Sequence, residues 1–215
     1  MREAVFIIVT IILLYLVFNT ENIEQVLTKD KVCNRTDNRC YPVVNKYNEN
    51  NKASEILAEL NLFAIKLLRH LRDKYIWNYS NNTSARDITI FLLSNYNPDG
   101  IIENDPSSDV NTSYVDDKGR VLALCLREKT SGKHKFHSMH VLQFVLIHEM
   151  SHMATIAIGH EEDFWTNFKF LLKEAELAGI YTSVNYDKNP INYCSLEVTY
   201  NPYFDDELND IHLMS

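Results

Sequence analysis

Glycine and proline are scarce, five of each among 215 residues, and no stretch is built from them. With 46% of the residues hydrophobic, that scarcity excludes a disordered or collagen-like chain and fits a folded one. Basic blocks are absent as well: the formal net charge is -8 and the pI about 5.5. Without a basic stripe the chain lacks the electrostatic footprint of nucleic-acid binders, so no direct nucleic-acid binding is expected. No internal repeat is present. Only four cysteines occur, Cys33, Cys40, Cys125 and Cys194, in neither zinc-ribbon nor CxxC spacing. Cys33 and Cys40 are close enough in sequence for a short disulfide in an oxidising compartment, whereas Cys125 and Cys194 lie in apolar runs and read as core residues. The length suits one domain with a full hydrophobic core.

Charge is also missing from Ala4 to Phe18, AVFIIVTIILLYLVF, which follows a single Arg2. Fifteen helical residues rise about 22 Å, short of the roughly 30 Å hydrocarbon core unless Asn19 and Thr20 enter the interface. The following NTENIEQ offers no small-x-small cleavage site, so residues 1–20 read as an uncleaved N-terminal membrane anchor, with a cleaved signal as the alternative. Orientation stays open. Lys29, Lys31, Arg35 and Arg39 follow the segment and favour a cytosolic body, while the sequons at Asn34, Asn78, Asn81, Asn82 and Asn111 are usable on the opposite side.

Residues 21–51 are polar and read as a stalk ahead of a domain spanning 52–215. Over 54–75, Ile56, Leu57, Leu60, Phe63, Ala64, Leu67, Leu68 and Leu71 recur at helical spacing, which predicts an amphipathic scaffold helix that includes His70. The run 86–96 fits helix or strand. Asn97-Pro98-Asp99-Gly100 then forces a turn, and 111–127 reads as a hairpin around DDKG ending in the buried strand VLALCL.

The segment VLQFVLIHEMSHMATIAI, residues 141–158, contains no glycine or proline and is apolar on every side, so it predicts a helix enclosed by protein. His148, Glu149 and His152 at its centre argue against a membrane span, since buried ionisable groups are expensive unless something offsets their desolvation. A dication does so. At about 100° per residue, His148 and His152 stand about 40° apart around the axis and one turn apart along it, so both can reach one ion. Glu149 lies about 100° round from His148, placed to touch a water on the metal rather than the metal itself, as a general base requires. Catalytic zinc takes three protein ligands and keeps one position open. The helix can continue for about two turns to Gly159, whose freedom to adopt a left-handed conformation ends it, and His160 follows as third ligand. Glu174 is its chief competitor, ahead of Glu161 and Glu162. His134, His137 and His140 read as solvated loop residues. The next helix, 161–178, opens with acidic residues and packs through Phe164, Trp165, Phe168, Leu171 and Leu172. Tyr181 and Tyr193 are candidates for an oxyanion-stabilising group by chain proximity.

The block IHEMSHMATIAIGHEEDFWTNFKFLLKEA resembles the WLM metallopeptidases and their SprT-like relatives, zincins in which HExxH precedes a third His, an acidic residue and an aromatic pair. The resemblance is clearest over 140–180. It implies a compact α+β zincin-like fold with an active-site helix, a small β-sheet and packing helices, here behind an N-terminal transmembrane helix. It also implies Zn2+ on His148, His152 and His160, Glu149 as catalytic acid/base, and a protein or peptide substrate. Seven residues separate His152 from His160, more than the family's usual spacing. The tail motifs of the nuclear WLM proteases are not recognisable, so their DNA-repair role is not carried over. The TSY hairpin and the NPxxYC segment also look like proteins of large DNA viruses, which would put the anchor in a host or virion membrane. The alternative is an inactive, membrane-attached zincin that serves as a structural or binding protein.

Overall fold

A computed structural model describes residues 28–78, 80–107, 112–129 and 135–213. The expected anchor at 4–18, the Asn111 sequon and His134 lie outside these residues. Among the described residues no helix is long and apolar enough to cross a membrane. Over these residues the architecture is α+β, four α-helices with small sheets. In chain order come β1 (Lys29–Cys33), β2 (Cys40–Val44), α1 (Asn50–Leu71), α2 (Thr83–Asn95), β3 (Ile101–Glu103), β4 (Tyr114–Asp116), β5 (Val121–Leu124), α3 (Met139–Ala154), α4 (Glu162–Leu177), β6 (Ile191–Tyr193) and β7 (Leu196–Val198).

All eight apolar positions of the predicted amphipathic helix are buried in α1, which begins four residues earlier than the periodicity indicates, at Asn50. The ambiguous 86–96 run is helical: the Asn82 side chain accepts a hydrogen bond from the Ala85 N–H at 2.9 Å and so caps α2. The predicted turn follows, closed by Gly100 N–H donating to the Asn97 carbonyl at 3.0 Å. A side chain at Gly100 would meet the Arg120 carbonyl oxygen at 2.2 Å, so this close approach requires glycine.

The expected hairpin is β4–β5, antiparallel with Asp116 opposite Val121. β3 adds to the far side of β5 in parallel, a pairing with no local signature in the sequence. The stalk reading fails for residues 28–44. They form the antiparallel β1–β2 hairpin, and β2 turns Tyr41, Val43 and Val44 into the core despite the polar composition around it. Val44 N–H donates to Glu103 Oε2 at 2.8 Å, and Glu103 in turn accepts from Arg127 Nε at 2.7 Å in a fully buried ion pair.

Cys33 and Cys40 form a disulfide across the β1–β2 hairpin. Cys125 and Cys194 are core residues as expected, but they are also bonded to each other, 69 positions apart in sequence. That bond fastens the end of β5 to the turn between β6 and β7. Cys194 and Ser195 hold φ values of 46° and 72° there, in a region that side-chain-bearing residues seldom occupy.

Candidate metal centre

Eleven of the sixteen residues of α3 are buried, including Glu149, which matches a helix enclosed on all sides. Ser138 caps its N-terminus, its hydroxyl accepting from Val141 N–H. α4 packs along it through contacts such as Phe144 with Phe168, 5.1 Å between ring centroids.

The helix does not run on to Gly159. It ends at Ala154, two residues after His152. Side chains from three other elements satisfy its last carbonyls and make the early stop possible. Asn95 Nδ2 of α2 donates to the Met153 carbonyl at 2.8 Å, and Asn167 Nδ2 of α4 donates to Thr155 Oγ1 at 3.0 Å and, at 3.4 Å, to the Ala154 carbonyl. Lys118 Nζ, from the β4–β5 connection, donates to the carbonyls of Thr155 at 2.8 Å and Ile156 at 3.0 Å. Five residues of irregular chain, with Gly159 at the positive φ of 98° expected of it, then bring His160 back over the helix.

The three imidazoles converge. His160 Nε2 lies 3.2 Å from His148 Nε2 and 3.1 Å from His152 Nε2, and one ring nitrogen of each residue falls within 4.8 Å of the others. A ring nitrogen carries either one hydrogen or one in-plane lone pair, so His160 Nε2 cannot hydrogen-bond both neighbours well. A common cation suits the geometry better: nitrogens about 2.0–2.1 Å from a tetrahedral zinc are about 3.3–3.4 Å apart. Desolvation and the neighbouring imidazoles hold His148 down at about 3, and desolvation, with His160 and Lys118, holds His152 at about 4. Burial lowers His160 too. All three are therefore neutral at pH 7, the state in which a lone pair is available to a metal. Phe164 packs beneath them, its ring centroid 4.4–4.9 Å from each imidazole, and Trp165 lies 5.5 Å from His160.

Glu149 is only 4% exposed, and burial pushes its carboxyl up to about 8; a cation beside it would favour the charged form. It shares a cavity of about 820 Å³ with the three histidines. Tyr193 lines the same cavity, buried, its hydroxyl 2.5 Å from Ser113 Oγ and its acidity suppressed by burial. Tyr181 does not line it and stacks on His140 instead, at 4.7 Å.

The remaining candidates are engaged elsewhere. Glu174, the expected competitor, is fully buried and receives His70 Nε2 at 2.8 Å, Lys74 Nζ at 2.7 Å, Tyr75 hydroxyl at 2.8 Å and His212 Nε2. His70, read as scaffold, is thus part of a polar network. Glu161 is exposed at the N-cap of α4, and Glu162 accepts from Asn209 Nδ2 at 3.1 Å. His137 sits 3.3 Å from Cys194 N, and His140 Nε2 is 2.8 Å from the Thr182 carbonyl, so neither is simply solvated. The roles of Lys118, Asn95 and Asn167 have no motif behind them; the positions become meaningful only once α2, α4 and the β4–β5 connection surround the end of α3.

No family model matches the chain, and no solved structure matches it. Relatives do exist among curated proteins. An uncharacterized protein of Acanthamoeba polyphaga mimivirus is 35% identical over 98 residues, 46% of this chain and 48% of the relative. Uncharacterized proteins of Invertebrate iridescent virus 6 and Invertebrate iridescent virus 3 are 30% and 34% identical over 48% and 39% of this chain, covering 56% and 50% of their own lengths. The chain thus spans about half the length of the curated relatives it matches, and these relatives are proteins of large DNA viruses, in accord with the viral origin read from the sequence.

Proposed function

We propose that this chain is a zinc-dependent metallopeptidase of the zincin type, akin to the WLM and SprT-like enzymes, tethered to a membrane by residues 4–18. His148, His152 and His160 hold the metal, Glu149 is the general base, and a protein or peptide is the substrate. The observation that carries this reading is the convergence of three imidazoles, His160 Nε2 lying 3.2 and 3.1 Å from Nε2 of His148 and His152, in a cavity that the buried Glu149 also lines. A closed structural site would bring a fourth protein ligand, and among the described residues no fourth His, Cys, Asp or Glu joins the group. Zinc bound there would polarise the scissile carbonyl and lower the pKa of a coordinated water to near 7. Glu149 would serve as the general base, accepting a proton at its carboxylate and returning it to the leaving amine, a task suited to a carboxylate whose burial favours its protonated form.

The test uses the full-length chain. It should contain about one equivalent of zinc, lost when His148 and His152 are both replaced by Ala. Glu149→Gln should retain the zinc while peptide hydrolysis falls by about 10²- to 10⁴-fold. A metal-free wild-type protein would end the proposal. Full zinc with no hydrolysis that depends on Glu149 would instead favour an inactive zincin with a structural or binding role.

A further inference from the structure

The cavity around the histidines presents very little charge that is free to meet a ligand. Among the described residues, four charged side chains other than the histidines line it: Asp117, Lys118, Glu149 and Glu197. Asp117 is paired with Arg120 at 3.2 Å. The Lys118 ammonium is occupied by backbone carbonyls, and Glu149 is buried on the helix that carries two of the imidazoles. Glu197, in β7, is exposed and has no ion-pair partner among the described residues. Away from the candidate metal position, the unpaired fixed charge that the described residues present to a bound chain is therefore that of the Glu197 carboxylate.

The rest of the lining is mainly apolar and aromatic. Phe144, Trp165 and Phe168 contribute from the two helices, and Leu196, Val198 and Tyr200 from the hairpin β6–β7 and the residues after it. At the solvent edge Ile158 is 92% exposed and Leu196 55% exposed. Single exposed aliphatic side chains are ordinary on protein surfaces. These two belong to one cavity whose interior is also apolar, so a chain lying in it covers both at once, and burying apolar surface favours binding.

Resting on the peptidase reading, we infer that the cleft selects an extended peptide with bulky apolar side chains next to the scissile bond and a neutral or basic residue, not an acidic one, where it passes Glu197. Zinc-loaded full-length protein would be given fluorogenic peptides that differ only in the residues flanking the bond: Leu or Phe, Lys, or Asp. Apolar peptides should exceed acidic ones by at least about 10-fold in kcat/KM, a step equal to burying part of one large side chain. Glu197→Lys should invert the order of peptides carrying Lys and Asp beside an apolar residue, with the change in KM rather than kcat. Leu196→Asp should reduce the ratio of apolar to acidic cleavage; zinc content and Tm of this surface variant report that the fold persists. Binding of the same peptides to the zinc-loaded Glu149→Gln protein, followed by fluorescence anisotropy, should give the same ranking without turnover. Acidic peptides cleaved or bound as well as apolar ones, or no inversion with Glu197→Lys, overturn this inference alone. Hydrolysis that survives Glu149→Gln and zinc removal overturns the peptidase reading beneath it.

Discussion

Lys118→Met is the substitution that tests most directly how the third histidine is put in place. Lys118 occupies a left-handed conformation, φ 54°, in the β4–β5 connection and spans to the chain just past α3. Methionine keeps most of the length and apolar stem but removes the two short N–H···O bonds, of 2.8 and 3.0 Å, to the carbonyls of Thr155 and Ile156, along with a long one of 3.5 Å to Ala157. Charge-assisted bonds of this kind contribute about 1.5–3 kcal/mol each where water is excluded. The side chain here is exposed, and water can replace the ammonium at both carbonyls, so a total of about 1–1.5 kcal/mol is the reasonable figure. That cost falls on His160, because the loop it stabilises is the one that returns His160 to the other two imidazoles. Zinc affinity, measured by competition with a chromophoric chelator, should then weaken by about 5- to 10-fold. Lys118→Arg, which keeps a donor of similar reach, should recover most of it. Cobalt(II) in place of zinc offers a second readout, since the intensity of its visible bands reports four-coordinate geometry and should fall in the Met variant. Unchanged zinc affinity in Lys118→Met, or an equal loss in Lys118→Arg, would refute the reasoning.

Three other perturbations probe the frame around the site. Glu174 is fully buried among His70, Lys74, Tyr75 and His212; desolvation by burial raises its pKa, but the hydrogen bonds from His212, Lys74 and Tyr75 win and hold it down at about 2 against an ordinary 4.5. Its folded pKa lies below the unfolded one, so the stabilisation is complete above about pH 4.5 and is lost as pH falls toward 2, amounting to about 3 kcal/mol; urea titrations between pH 6 and pH 3 should show this slope in the wild type and a flatter one in Glu174→Gln. Replacing both Cys125 and Cys194 by Ala opens a loop closed over 69 positions and should cost about 4 kcal/mol, against about 2 kcal/mol for the Cys33 and Cys40 pair seven positions apart, as read from denaturant midpoints. Arg127→Met leaves the buried Glu103 carboxylate, among the described residues, with the Val44 N–H as its remaining donor, for a loss of about 3–5 kcal/mol; adding Glu103→Met should restore part of it, and a double-mutant cycle with no recovery would sink the ion-pair account.

What could be read in the sequence was what repeats at short range. The 3.6-residue period of α1, the Asn97-Pro98-Asp99-Gly100 turn and the HExxH spacing each depend on neighbours within about one or two helical turns, and each stands in the structure as read. Failures fall where partners are distant. β2 looked polar because its local composition is polar; its buried face exists only because α1 and the Glu103 carboxylate lie against it. Cys125 and Cys194 were recognisable as buried, but their bond depends on β6–β7 folding back over 69 residues.

The third histidine shows the same division within the site itself. Judged by helix propensity alone, TIAI continues α3, which would carry His160 about two turns further along the axis. Three side chains remote in sequence, Asn95, Lys118 and Asn167, instead satisfy the helix end near His152. The wide gap between the second and third histidines then becomes a loop of the length needed to turn back. Glu174 is the chief competitor of His160 from its place in the following helix. It is removed from contention by His70, Lys74 and Tyr75, about 100 residues earlier, which hold its carboxylate in another part of the core. Candidate ligands are thus legible from residue types at helical spacing, whereas which of them meet in space is decided by hydrogen bonds that no local pattern encodes.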